Sequence, residues 1–164
     1  YALIIYPRLR DIKKIDIGFI VSTLKNMGFT PIIKHRGKER VINSYGCRIF
    51  SDVLWAPHTT LDLMTVSDVI INSGSTSIKE AIMLEKPVIN FDIKPHKHLS
   101  FLYEFDFVRD YKQSDKINSK ILENSIKDML LLDHTDQFKI CKEKYLFERG
   151  TSMRIAEYFN FDQQ

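Results

Sequence analysis

The feature that most narrows the fold is a rhythm in which short runs rich in β-branched apolar residues alternate with longer stretches of helical period. The segments ALII at 2–5, VII at 69–71 and VI at 88–89 are apolar at consecutive positions, not at every second one. Strands of that kind are buried on both faces, as in a parallel sheet with helices on either side. Strands are expected at 2–6, 31–34, 47–50, 53–55, 69–72 and 88–91. Between them, Asp16 can cap a helix whose inner stripe is Ile20, Leu24 and Met27, and Gly28 suits its left-handed end. Further helices are expected at 38–45, 60–66 and 77–84. The βαβα order predicts an α/β fold, a Rossmann-like three-layer α/β/α arrangement with a mostly parallel sheet of five or six strands.

After residue 91 the rhythm breaks. Residues 92–115 read as a long loop with a short extended piece near Phe107. Three helical stretches trail behind, at 117–132 with a stripe of Leu122, Ile126, Met129 and Leu130, at 137–147, and at 151–159. With no internal repeat, low-complexity tract or linker, residues 1–164 read as a single domain. The chain opens Tyr1-Ala2-Leu3 inside an apolar run, without an initiator Met or a signal peptide, so further sequence is expected upstream.

Composition bounds the function. An apolar fraction of 44% with 27% charged residues over 164 residues suits a chain that buries a core. The net charge of +3 fits a local anion site and not a surface that wraps duplex nucleic acid, so no nucleic-acid partner is expected. Two distant cysteines, Cys47 and Cys141, predict neither a disulfide framework nor a structural zinc site, and a reducing compartment. No apolar run approaches the roughly 18–20 residues that span a bilayer.

In an open parallel sheet, ligands sit beyond the carboxyl ends of the strands. The residues expected there are Arg8 after the first strand, Lys34, Arg36 and Lys38 around the second, Pro57 and His58 after the third region, and Ser73, Gly74, Ser75 and Thr76 after the fourth. Lys94 and His96 follow the fifth. Converging cations and small hydroxyls would make an anion pocket. The strongest segment runs Asn72-Ser73-Gly74-Ser75-Thr76-Ser77 into a helix. Its amides and hydroxyls can hold a phosphate, and Glu80, one turn on, can accept both hydroxyls of a ribose. The same letters also read as a plain capping box, with Ser77 capping and Glu80 reaching back. The basic stretch around Arg36, and Arg8, read equally as solvated turns. Trp55 can stack on a base or sit in the core. His58 can reach a phosphate or base, or pack beside the indole. His96 and His98 lack an acidic partner, so no metal site is expected.

Residues 68–90, DVIINSGSTSIKEAIMLEKPVIN, resemble the nucleotide-sugar-binding half of GT-B type glycosyltransferases. Relatives with that half include the CDP-glycerol glycerophosphotransferases and the non-hydrolysing UDP-N-acetylglucosamine 2-epimerases. Residues 61–66 resemble the short helix before the Asp, and 150–158 the closing helix of the family. The resemblance implies that Ser73, Gly74, Ser75 and Thr76 hold a diphosphate, aided by Lys34, Arg36 and Arg8. It implies that Glu80 takes the ribose and that Trp55, Pro57 and His58 lie near the base. It implies the carboxyl-terminal half of a two-domain transferase of surface polysaccharide or capsule synthesis. Such an enzyme takes a UDP- or CDP-linked sugar or glycerol as donor and needs no further cofactor. Its acceptor domain would lie upstream, and its place would be cytoplasmic, extending to the inner face of the membrane by peripheral association. The epimerase-like enzyme and a non-catalytic nucleotide or interaction domain are the rival expectations. One departure stands out, since Glu85 occupies the place where the family keeps Gly before Lys-Pro, which puts the tight helix ending in question.

Overall fold

The computed structural model describes residues 1–35, 41, 43–51, 58–93 and 97–145, with the backbone alone for 58, 59 and 97–100. Six strands form one sheet: β1 (Ala2–Ile5), β2 (Pro31–His35), β3 (Arg48–Ser51), β4 (Val69–Asn72), β5 (Val88–Asp92) and β6 (Val108–Lys112). The order is β3-β2-β1-β4-β5-β6 and every pairing is parallel. This is the Rossmann-like α/β order, with its reversal between β1 and β4.

The apolar runs fold as strands because successive side chains enter opposite cores. Ala2 and Ile4 join one apolar cluster with Ile71 and Ile89. Leu3 and Ile5 join the other with Ile70 and Val88. Helices α1 (Ile17–Asn26) and α4 (Ser119–Leu131) cover the first face through Ile17, Ile20, Leu24, Leu122, Ile126 and Met129. Helices α2 (His58–Thr65), α3 (Ile78–Met83) and α5 (Thr135–Tyr145) cover the second, through Met64, Ile78, Ile82, Phe138 and Cys141. The stripe expected on α4 holds except at Leu130, which is exposed at the rim.

Caps fix the helix ends. The Asp16 carboxylate accepts from the Phe19 amide at 2.9 Å, and Asn118 serves α4 in the same way at 3.0 Å from Ile121. Helix α1 ends in a Schellman motif, in which Phe29 N–H donates to Leu24 C=O and Gly28 N–H to Lys25 C=O, with Gly28 at φ 86°.

Two expectations are corrected. Residues 92–115 are not mainly loop, because they hold a 3₁₀ helix (Lys97–Glu104) and the edge strand β6. The described part of 38–45 is not helical: Ser44 to Cys47 is a tight turn closed by Cys47 N–H to Ser44 C=O, with Tyr45 and Gly46 at φ 50° and 71°. The residues 53–55 and 151–159 lie outside the described residues. The doubt raised by Glu85 resolves in favour of a tight ending, which α3 makes with Glu85 itself at φ 57°.

Candidate functional site

The sheet reverses between β1 and β4, so the crevice of this topology opens where those two strands end. Arg8 follows β1 there, exposed, just ahead of a 3₁₀ turn at Leu9–Lys14. Ser73, Gly74, Ser75 and Thr76 follow β4 at the same edge. The fold thus brings the small-residue turn to the carboxyl end of β4, as expected from the strand reading, and the strand order makes that end the switch point.

The turn takes its shape from its own residues. Gly74 is left-handed at φ 61°, which allows the chain to bend directly off the strand. The carboxamide of Asn72 donates to the Ser75 carbonyl at 3.0 Å and so pins the turn's far side. Ser75 and Ser77 share a hydroxyl–hydroxyl bond of 2.8 Å, and the Ser77 amide donates to Ser75 Oγ at 3.3 Å. The capping box is absent: Ser77 stands at the cap position in a helical conformation and its side chain makes no capping bond. Its hydroxyl is engaged by Ser75, and Glu80 stays exposed on the first turn of α3. With only six residues, α3 carries little dipole, so donors at this edge are the individual amides and hydroxyls. Among the described residues, the Ser73 hydroxyl and Asn72 Oδ1 are buried without a hydrogen-bond partner. Such orphans are uncommon in native structures.

The basic residues divide. Lys34, on β2, is buried, and its ammonium donates to the His35 carbonyl at 2.9 Å. Arg36, Trp55 and Pro57 lie outside the described residues, as does His96. His58 begins α2, and its backbone alone is described.

Behind the turn runs a polar row that the sequence reading did not single out. Asn72 pairs in register with Asn90 of β5, and Asn90 with Asp110 of β6. All three project on the α3 face of the sheet, since each stands two residues from a member of that core: Ile70, Val88 and Val108. Asn72 Nδ2 donates to Asn90 Oδ1 at 2.7 Å, and Asn90 Nδ2 donates to Asp110 Oδ1 at 2.6 Å. The Tyr103 hydroxyl stands 3.5 Å from Asn90 Nδ2. Both amides are 1% exposed. Burial pushes the Asp110 carboxyl up, the Asn90 hydrogen bond and Lys112 oppose that, and Asp92 and Asp115 add to it. Burial, with Asp110 and Asp92 nearby, pushes the Tyr103 hydroxyl up to about 12. The available signal was an asparagine directly after an apolar strand run twice over, at VIIN and VIN, because a buried amide demands partners.

A cleft of about 140 Å³ opens between the start of α1 and the ends of β5 and β6, on the α1 side of the sheet. It is lined by Phe19, Phe91, Asp92, Tyr111 and Lys112 among others. Among the described residues no group of three or more His, Cys, Asp or Glu is placed to hold a metal ion, and no helix is long and apolar enough to cross a membrane.

No family model matches the sequence, and no curated protein sequence matches it. Among solved structures, the chain is similar in fold to the glycotransferase of kitacinnamycin, with a TM-score of 0.61 at 13% identity. The likeness covers 97% of this chain and 42% of that one, so the chain spans about two fifths of the length of its structural neighbour. At this identity the likeness carries the fold, an α/β Rossmann-like sheet.

Proposed function

We propose that this chain is the donor-binding half of a nucleotide-dependent transferase, a glycosyltransferase or glycerophosphotransferase of surface polysaccharide synthesis. The observation that carries the reading is the turn from Ser73 to Thr76 at the switch point, left-handed at Gly74 and with a buried, unpartnered hydroxyl on Ser73. In this reading the turn's amides and hydroxyls hold the diphosphate of a UDP- or CDP-linked sugar or glycerol. Arg8 approaches from β1, Lys34 and Arg36 from β2, and Glu80 accepts the ribose hydroxyls. Trp55, Pro57 and His58 would flank the base.

The chemistry assigned to this half is electrostatic. A nucleoside diphosphate leaves with its negative charge increased, and fixed donors that strengthen as the charge develops lower the barrier to transfer. The acceptor and its base would come from an upstream domain facing the same edge, on the cytoplasmic side. The likeness in fold to a glycosyltransferase supports this reading.

Calorimetric titration of the chain with UDP and CDP tests it, with Gly74→Val as the control. The variant places a β-branched residue at φ 61° and pushes a side chain over the turn. Saturable binding by the native chain, lost in a folded Gly74→Val, is the expected result. Equal behaviour of the two, or no binding of either nucleotide, would remove the donor-site reading.

A further inference from the structure

The Asn72–Asn90–Asp110 row has a direction. An ionised carboxylate only accepts hydrogen bonds, whereas a carboxamide donates from one end and accepts at the other. Asp110 therefore obliges Asn90 to turn Nδ2 towards it, which leaves Asn90 Oδ1 facing Asn72. Asn72 must answer with Nδ2, and the same NH2 group reaches the Ser75 carbonyl, itself an obligate acceptor. The chain of bonds thus runs between two acceptors, a carboxylate on β6 and a carbonyl in the turn. It fixes Asn72 Oδ1 on the opposite side as a buried acceptor.

We propose that Asp110 is a positioning residue for the Ser73–Ser75 turn, setting the orientation of the Asn72 carboxamide through Asn90 from two strands away. That the turn so positioned is a phosphate site rests on the donor-site reading above; the relay itself does not.

Protonation is the means by which this device can reverse. A neutral Asp110 can donate to Asn90 Oδ1. Asn90 then presents Nδ2 to Asn72, which must offer Oδ1 in return. That would set Asn72 Oδ1 against the Ser75 carbonyl oxygen, and the bond that pins the turn is lost. The groups facing Asp110 are Asp92 on β5, Lys112 on β6, Asp115 beyond it and the Tyr103 hydroxyl on the 3₁₀ helix. Tyr103, with its proton held to about 12, stays neutral throughout. Asp92 and Asp115 favour the protonated form of Asp110, after burial itself, and Lys112 favours the ionised one.

The test is nuclear magnetic resonance of the ¹⁵N-labelled chain, following the side-chain NH2 signals of Asn72 and Asn90 across an acid titration. Both pairs are expected to move together with one midpoint. That midpoint should disappear in Asp110→Asn and persist in Asp115→Asn. Asn72 signals that ignore the titration in the native chain would overturn the proposal, whether or not the Asp110 variant folds. UDP titration of the same samples separates the two readings. Binding at neutral pH that weakens about tenfold in Asp110→Asn, the loss of roughly one hydrogen bond's worth of affinity, supports both. Coupled amides without UDP binding support the relay and remove its role in donor binding. UDP binding with Asn72 indifferent to Asp110 leaves the donor site and overturns the relay.

Discussion

Glu85 holds at the end of α3 the left-handed position that Gly28 holds at the end of α1. The two endings carry the same pair of bonds. Lys86 N–H donates to Ala81 C=O and Glu85 N–H to Ile82 C=O, matching Phe29 to Leu24 and Gly28 to Lys25. At φ 57° the glutamate bears a steric cost of about 1 kcal/mol that glycine at φ 86° avoids. In return its carboxylate pairs with Lys142 of α5 at 2.5 Å, and an ion pair this exposed contributes roughly 0–1 kcal/mol. Glu85→Gly is therefore expected to stabilise the chain by about 0–1 kcal/mol, and Gly28→Ala to destabilise it by about 1 kcal/mol. Urea denaturation of both variants against the native chain measures the pair.

Asn90 sits in the middle of the polar row, so its removal strands a partner on each side. Asn90→Ala leaves one Asn72 donor and the Asp110 carboxylate without their bonds in a buried site. A loss of about 2–4 kcal/mol is expected, larger than for an exposed asparagine, because buried polar groups bear their desolvation uncompensated. Chemical denaturation reads this directly.

The raised pKa of Asp110 makes stability depend on pH with a definite sign. Folded Asp110 keeps its proton above the ordinary value of 3.8, chiefly because burial disfavours its charge. As pH rises from that value through the folded pKa, the unfolded chain releases its proton first, and unfolding becomes easier. The penalty is absent below 3.8 and fully present above the folded pKa. Measured by thermal melts across mildly acidic pH, the native chain should lose stability relative to Asp110→Asn as pH rises through that window. A difference that stays flat would show that Asp110 is not the group responsible.

Glu80 is exposed and outside the polar row, so its removal separates ligand contact from architecture. On the donor-site reading, Glu80→Ala weakens UDP or CDP binding by about tenfold or more, the cost of losing a charged hydrogen bond to ribose, with stability changed by less than ~0.5 kcal/mol. Calorimetry alongside a melting curve gives both numbers, and unchanged affinity would remove the ribose role.

Local chemistry determined a good deal from the letters alone. Consecutive apolar residues at 2–5 and 69–71, rich in β-branched side chains and short, fit strands covered on both sides, and they are. Asp16 and Gly28 bracket α1 because a short carboxylate and a residue without Cβ meet the needs of its two ends. The edge strand β6 was legible only as a short extended piece near Phe107, because Val108-Arg109-Asp110-Tyr111-Lys112 exposes Arg109 and Lys112 and so lacks the apolar continuity of the inner strands. The capping box failed to form because Ser75, two residues away, competes for the Ser77 hydroxyl. The order of the strands, and with it the line from Asn72 through Asn90 to Asp110, was settled only by the folded sheet. Propensities and caps act between residues a few positions apart, whereas these side chains stand 18 and 20 residues apart in the chain and meet only across parallel strands.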